Sequence, residues 1–313
     1  MHEDTHGNKK PNMPELKRLT DELIKKRIED APRLASLRSI NMALSELVYA
    51  ENSFTSQIAE IIRRDPSLTS RLLKLVNSVF FGLSQRVNNI EEAIFYLGLR
   101  QIRELALATP IIEDFDKLDS GFDKNSWHKL WQHSIGTGIL TREILSIAGV
   151  KFEDDTDYIV GLVHNVGKIV CASVFPEAFS KIQEITCDTT EDVCRMEQEL
   201  IGWDHAAIGA YFLEKHHLGP EIVEPVRFHN NPDQMEEESY RQTAAAVQLA
   251  DHMVRSVGIE GLENTEAPEE GSWTELKGWE LLFGQFDEEE MEAKQTALET
   301  TLNRLPKVLK GMV

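Results

Sequence analysis

Long apolar runs are missing from this sequence of 313 residues. No window approaches the roughly 20 consecutive apolar residues that a membrane-spanning helix requires. The opening segment, MHEDTHGNKKPNMPE, also lacks the apolar stretch of a secretory signal. We therefore expect a cytoplasmic protein that does not enter a membrane.

Cysteine and positive charge are also scarce. The cysteines are Cys171, Cys187 and Cys194, an odd number with no CxxC spacing, which favours reduced thiols over a disulfide framework. Lysine and arginine total 33 against 53 aspartate and glutamate residues, for a net charge of −20. Because such a charge opposes general binding to phosphate backbones and anionic membranes, we do not expect a nucleic-acid partner.

The pattern of exposed strands, alternating β-branched residues between hairpin turns, does not occur either. Apolar residues instead recur at spacings of three and four, which predicts an all-α protein. Because the length allows about two domains, we predict a two-lobed helical bundle. The predicted divisions are an N-terminal helical extension, a first helical lobe, a second helical lobe, and an acidic loop with C-terminal helices, at 1–30, 31–115, 126–257 and 258–313.

Capping residues predict where several helices begin and end. Asn89 followed by Glu92 resembles a capping box, and the helix that it opens should end at Gly98. Ser126 should cap a long helix that runs through Ala148. Further helices fit the apolar spacing at 157–166, 177–186, 190–201, 205–216, 220–228 and 240–257. The first of these is apolar on nearly every side, so we expect it to lie in a core.

Histidine placement in the second lobe carries the functional signal. His133, His164, His205 and His229 fall at or near predicted helices, and Asp251 lies in another. Since no two of them have the i, i+4 spacing of a local motif, a metal site would have to be assembled from separate helices. Imidazole nitrogens with one carboxylate suit Fe, Mn, Ni or Zn better than Mg or Ca. The alternative is a set of buried neutral histidines that donate to backbone carbonyls and need no metal.

Several ordered motifs resemble the HD superfamily of metal-dependent phosphohydrolases. They are WQHS at 131–134, LVHNVGK at 162–168, DHAAIGAYFLEKHHLGPEIVEPVRFHNNP at 204–232 and VQLADH at 247–252. Two upstream segments are similar to the HDOD domain, the HD-related output domain of bacterial signalling proteins: IIRRDPSLTSRLLKLVNSVFFG at 61–82 and IEEAIFYLGLRQIRELAL at 90–107. The resemblance implies a helical fold with an HD-like second lobe and a role in signal transduction.

The resemblance also implies a ligand set. In the HD family the first histidine, a His-Asp doublet and a late aspartate bind metal, and His133, His164 and Asp251 match the first histidine, the doublet histidine and the late aspartate. Asn165 stands where the doublet aspartate would be. A neutral amide does not supply the negative charge that holds two cations close and anchors a metal-bound hydroxide. The substitution therefore argues against a binuclear hydrolase.

The related HD-GYP cyclic-dinucleotide phosphodiesterases add a lysine and further histidines for a second metal. Lys168, His205 and His229 match those places, but Asn230 replaces one member of a His-His pair and the GYP loop has no counterpart. The ligand set left is the three matching residues, with His205 or His229 as additional candidates. Without the resemblance, Lys168 is interpreted as a cation at a helix end or as an ion-pair partner. Asn165 and Asn230 are interpreted as residues that cap a helix or form hydrogen bonds with nearby backbone groups.

We therefore predict a bacterial regulatory module without catalysis, which presents surfaces to signalling proteins or to a small nucleotide-like molecule. The rival prediction is a metal-dependent phosphohydrolase or nucleotide phosphodiesterase with a mononuclear site, in which Lys168 would be the catalytic group. A third treats the pocket as a nucleotide sensor that binds without cleaving. We also expect His216 and His217, at a predicted helix end, to lie on the surface.

Overall fold

The described part of the chain is built from helices. In the computed structural model this part comprises residues 18–31, 86–98, 124–150, 156–216, 218–262 and 265–309, with a few positions between 59 and 77. Within it there is no β-strand, and an isolated bridge joins Cys187 and Thr265. The helices are α1 (Asp21–Glu29), α2 (Ile90–Leu97), α3 (Lys124–Ile147), α4 (Thr156–Val163), α5 (Val166–Val174), α6 (Pro176–Gln183), α7 (Thr190–Leu200), α8 (His205–Lys215), α9 (Pro220–Phe228), α10 (Glu238–Ser256), α11 (Lys277–Phe283) and α12 (Glu288–Leu309). The prediction of an all-α fold is confirmed.

Helix α3 is the centre of the packing. Helices α4, α10 and α12 all contact it, while α8 packs against α5 and α9. Every residue of α4 is buried, as its apolar composition predicts. Apolar side chains of α3 and α10 complete this core, among them Leu130, Leu140, Ile144, Val247 and Leu249. The predicted metal ligands therefore lie on helices that meet in the core.

Glycines let these helices approach closely at two points. Gly161 of α4 lies against α3, where a Cβ would come within 2.7 Å of the Gly138 Cα. Gly167 of α5 lies against α8, where a Cβ would overlap the His205 carbonyl oxygen and approach the Gly209 nitrogen at 2.7 Å. Because glycine alone lacks a Cβ, these contacts hold the helices at a separation that no other residue allows.

Most predicted helix bounds are confirmed to within a few residues. Asn89 caps α2 by accepting a hydrogen bond from the Glu92 N–H at 2.8 Å, and Gly98 ends that helix. Asp204 caps α8 in the same way, through the Ala207 N–H at 2.8 Å. These caps are local interactions between near neighbours, which is why the sequence reveals them.

Two predicted helices are wrong in detail. The long helix begins at Lys124, so Ser126 lies inside its first turn and is not the cap. The segment 157–166 is not one helix, because α4 ends at Val163 and α5 begins at Val166. His164 lies in the break and its Nδ1–H donates to the Gly161 carbonyl at 2.7 Å, a side-chain bond that competes with helical backbone bonding.

The predicted domain divisions stay predictions, since the structure does not describe residues 32–58 or 99–123. Within the part of the chain that it does describe, no single helix is long and apolar enough to cross a membrane. The bent pair 156–174 and 176–183 passes such a test only when its helices are joined across a break of 115°. The location of the protein stays a prediction.

The glycine contact between α5 and α8 yields a stability test. Gly167→Ala should lower the free energy of unfolding by about 3 kcal/mol or more, because the added Cβ meets backbone atoms that cannot turn aside. Gly136→Ala is the matched control within a helix, since its Cβ would meet only side-chain ends of Leu309 and Val254 at 3.3 Å. The control should change stability by no more than about 1 kcal/mol. Equal urea midpoints for the two variants would contradict the close contact.

Candidate metal centre

Three of the predicted ligands meet in the core. His133 projects from the middle of α3, His164 follows the end of α4, and Asp251 comes from α10. The two histidines are 0% exposed and the aspartate 7%. One ligand atom from each of them lies within 4.8 Å of the other two. The fold therefore brings together three candidate ligands that are far apart in the sequence.

The contacts within this group leave lone pairs facing one another. His133 Nε2 is 3.0 Å and His164 Nε2 is 3.2 Å from the same oxygen, Asp251 Oδ1. The opposite ring nitrogens are occupied, because His133 Nδ1–H donates to the Ile259 carbonyl at 3.1 Å and His164 Nδ1–H to the Gly161 carbonyl at 2.7 Å. In the neutral rings both Nε2 atoms are then acceptors that point at a carboxylate. A cation or a proton between them would relieve the repulsion.

The charges of the group also suit a cation. Burial lowers the pKa of His164 to about 4, in spite of the neighbouring Asp251 carboxylate, so this ring is neutral at pH 7. Burial would raise the pKa of Asp251, but the positive charge of Arg255 opposes this effect, and that pKa lies well below its usual value. One carboxylate and two imidazoles form a donor set for a divalent transition metal such as Fe, Mn, Ni or Zn.

The side chain of Asn165 also lies beside His133, but it neither caps a helix nor supplies a charge. Its side chain makes no capping hydrogen bond to α5. Its Nδ2 lies 3.5 Å from His133 Nε2, and its buried Oδ1 has no hydrogen-bond partner among the described residues. Turning the amide over would direct this oxygen towards an ion held by the three ligands. The alternative expectation, that Asn165 satisfies nearby backbone through its side chain, is wrong.

His229 and His205 extend the cluster in a row. The ring centres of His164 and His229 are 5.3 Å apart, and those of His229 and His205 are 5.5 Å apart. His229 Nδ1–H donates to the Val226 carbonyl at 2.7 Å, while His205 Nε2 accepts from Asn230 Nδ2 at 3.2 Å. Asn230 thus occupies the ring nitrogen through which His205 would bind an ion. Both histidines are near the three ligands without belonging to that compact group.

Two side chains depart from their predicted positions. Lys168 does not lie at the C-terminal end of a helix: it is the third residue of α5 and 2% exposed, and burial lowers its pKa to about 8. The alternative that Lys168 is an ion-pair partner stays a prediction. His216 is not on the surface but 3% exposed, because its ring packs on Phe212 with centres 4.2 Å apart. His217 lies outside the described residues.

Three groups that the sequence motifs do not indicate position the candidate ligands. Arg255 Nε donates to Asp251 Oδ2 at 3.2 Å, which leaves Oδ1 to face the histidines. Glu197 accepts from His205 Nδ1–H at 2.7 Å. Ile259, in the loop after α10, supplies the carbonyl that orients His133. The i, i+4 spacing of Asp251 and Arg255 could have revealed the first pair. Nothing in the sequence indicates the carbonyl contact, since any residue carries a carbonyl.

A cavity of about 490 Å³ adjoins the centre. His229, Asp251 and Arg255 line its inner part. Its outer lining includes Asp188, Glu191 and Glu266, all exposed carboxylates. Because the only arginine among the described lining residues is already paired with Asp251, the cavity attracts cations more than phosphate esters.

Comparison with known proteins identifies relatives of this chain. A model of the HDOD domain family matches residues 34–232. An uncharacterized protein of Treponema pallidum (strain Nichols) is 29% identical over 230 residues, which are 73% of this chain and 43% of that protein. The chain therefore spans less than half the length of this relative.

Solved structures share the fold at low sequence identity. An HDOD domain protein with unknown function from Geobacter sulfurreducens superposes with a TM-score of 0.65 at 19% identity, over 93% of this chain and 99% of that one. A candidate phosphohydrolase from Shewanella amazonensis SB2B gives 0.64 at 22%, over 93% and 98%. A candidate signal transduction protein from Marinobacter aquaeolei VT8 gives 0.59 at 19%, over 93% and 65%. At these identities the likeness shows the fold alone.

The burial of the histidines predicts how stability depends on pH. In the metal-free protein His164 titrates near pH 4, whereas in the unfolded chain it titrates near its model value of 6.5. The unfolded state therefore binds more protons between these values, and stability is lost as the pH falls from about 6.5 to about 4. His164 alone should account for a loss on the order of 3 kcal/mol, and His229, whose pKa is also lowered by burial, acts in the same direction.

Urea unfolding in the presence of a chelator, at a series of pH values, measures this dependence. His164→Gln should flatten the curve over this window, because it removes one of the titrating groups. Stability that does not change between pH 6.5 and 5, or an unchanged slope in the variant, would contradict a buried neutral His164.

Proposed function

Because this chain belongs to the HDOD domain family, we propose that it is a regulatory signal-transduction module that binds one divalent transition-metal ion without hydrolysing phosphoesters. His133, His164 and Asp251 would hold the ion, with His229 as the nearest additional candidate. Signalling proteins or a small nucleotide-like molecule would be its partners. In a metal-dependent hydrolase the bound ion would activate water as a nucleophile; this chain's residues favour binding over that reaction.

The proposal depends on one observation. His133, His164 and Asp251 supply enough donors for one ion, and the side chains beside them, Asn165 and Asn230, are neutral amides. Two imidazole nitrogens converge on Asp251 Oδ1, which is itself the third lone-pair donor. Beside them, Asn165 contributes an uncharged group, and Asn230 donates to His205 Nε2 and so occupies it. A second cation next to the first would need an anionic ligand to offset the repulsion between the ions. Among the described residues at this centre, Asp251 is the only carboxylate that faces the histidines.

The charge around the cavity supports the same reading. A phosphoester substrate would have to pass Asp188, Glu191 and Glu266. Arg255 lies at the inner end, but its guanidinium is engaged by Asp251, Thr265 and Thr190. A hydrolase would instead benefit from free cationic groups that stabilise the charge of the transition state.

A mononuclear phosphohydrolase is the second candidate, and one observation favours it. Asp251 and His229 line the cavity, so a molecule of moderate size could reach an ion at the centre. The name of the Shewanella amazonensis structure refers to the same chemistry for that protein. In this candidate function Lys168, with its lowered pKa, would be the group available for proton transfer.

Metal binding and turnover separate the two candidates. Calorimetric titration of metal-free protein with Mn²⁺ should show one binding event at this centre, and Asp251→Asn should abolish it by removing the only charged ligand. Asp233→Asn, which alters an exposed carboxylate, should bind as the wild type does. A panel of phosphomonoesters, phosphodiesters and nucleotides with added Mn²⁺ or Fe²⁺ should give no turnover above that of the Asp251→Asn variant. Turnover that both Asp251→Asn and His164→Ala abolish would establish the hydrolase instead.

Restoring a charge at position 165 should strengthen metal binding. Asn165→Asp places an anionic oxygen beside His133, and we expect an affinity for Mn²⁺ higher on the order of tenfold, comparable to the effect of supporting groups at other metal sites. The same charge should destabilise the metal-free protein, because it is buried close to Asp251. Asn88→Asp, at an exposed position, is the control. An unchanged affinity in Asn165→Asp would show that this side chain does not face the ion.

A further inference from the structure

A second cluster of metal-ligating side chains includes His205 and lies on the Nδ1 side of its ring. Cys194 and Glu197 are one turn apart on α7 and so share a face of that helix. His205 begins α8 after a short turn, and one ligand atom from each of the three lies within 4.8 Å of the others. We infer that this cluster is a separate metal site, which takes a zinc-class ion through a thiolate, a carboxylate and an imidazole nitrogen. It differs from the centre around Asp251 in its donors and in the ring nitrogen of His205 that it uses.

Burial and donor chemistry both fit this class of ion. Cys194 is 6% exposed, Glu197 2% and His205 0%, so water offers little competition for the ligand positions. Zinc accepts sulfur, nitrogen and oxygen ligands together, whereas manganese and magnesium favour sites without sulfur. The sulfur donor therefore sets the ion preference of this cluster apart from that of the Asp251 centre.

The carboxylate and the imidazole already form a tight pair. Glu197 Oε2 accepts from His205 Nδ1–H at 2.7 Å and from the His205 backbone N–H at 2.8 Å. This pair alone would serve to orient the histidine, as a carboxylate does behind many metal-bound imidazoles. The thiol of Cys194 is not needed to orient His205. Its position beside Glu197 and His205 therefore indicates a set of metal ligands and not only a contact that orients the histidine.

Binding must displace two protons from their present positions. Burial, with Glu197, raises the pKa of Cys194, so the thiol is protonated until an ion replaces its proton. The His205 proton now on Nδ1 moves to Nε2, where the oxygen of Asn230 can accept it once that amide turns over. The ring proton moves from one nitrogen to the other without leaving His205, and the thiol proton leaves to solvent. One proton is therefore released for each ion bound.

A surface cavity gives the thiol a route to solvent. Cys194 lines a cavity of about 480 Å³ together with Glu191, Gln198 and Asp204, and with the guanidinium groups of Arg195 and Arg227. Its polar walls can carry a hydrated ion to the cluster. This opening is separate from the larger cavity that adjoins Asp251, although Glu191 borders both.

Cobalt replaces zinc in such sites and reports on sulfur ligation. Metal-free protein titrated with Co²⁺ should develop a near-ultraviolet charge-transfer band from a cobalt–thiolate bond, with one proton released per ion in weakly buffered solution. Cys194→Ser and Cys194→Ala should both abolish the band. In protein that also carries Asp251→Asn, so that the other centre does not bind, they should weaken Zn²⁺ binding by at least about 100-fold, the upper end of what a lost supporting group costs. Two replacements are used so that a folding defect in one of them does not decide the result.

The controls separate this site from the Asp251 centre. Cys187→Ser changes another buried thiol, outside the cluster, and should keep the band. Asp251→Asn should also keep it, although that variant loses the Mn²⁺ site; Cys194→Ala should in turn keep Mn²⁺ binding. Absence of the band in the wild type, or its persistence in both Cys194 variants, would overturn the inference and leave the proposed function untouched.

Discussion

The contact between Asp251 Oδ1 and two imidazole nitrogens is the constraint on which the centre depends. His133 and His164 each direct Nε2 at this oxygen, because backbone carbonyls hold their Nδ1–H groups on the opposite side. A buried carboxylate that faces two lone pairs is costly on its own. Arg255 offsets part of that cost from behind, and a bound cation would offset the remainder. A cation bound between these atoms would therefore relieve repulsion that is present in the metal-free arrangement.

The same geometry limits what a bound ion could do. Asn165 and Asn230 are neutral, and both lie against the histidines that a second cation would need. The cavity beside the centre has a carboxylate-lined mouth, and the guanidinium of Arg255, the one arginine among its described lining residues, is paired with Asp251. An ion held here has a stable first set of ligands but little support for a negatively charged transition state. Binding and signalling are consistent with these charges, whereas phosphoester cleavage would have to overcome them.

Backbone contacts, as much as ligands, determine where the histidines stand. The glycine contact of α4 with α3 places His164 beside His133, and that of α5 with α8 brings His205 next to the turn after His164. The loop after α10 closes over the cluster, since the ring of His133 also lies against Gly261. A change in any of these backbone segments would move a ligand without altering its chemistry. Regulation of the centre by a partner could therefore act through the helices and the loop.

The sequence by itself determined the helical class, most helix bounds and the three candidate ligands. Spacings of three and four, and a cap such as Asn89, are local signals, and the candidate ligands are indicated by several motifs that resemble those of a known family. Tertiary structure alone decided that α4 stops before His164, that Lys168 and His216 are buried, and that Asn230 occupies His205 Nε2. The contact between Asn230 and His205 joins residues far apart in the chain. The contacts of His164 with Gly161 and of His216 with Phe212 join near neighbours, but apolar spacing and capping patterns do not indicate them. The Cys194 cluster depends on the turn between α7 and α8, which brings His205 against Glu197 and Cys194.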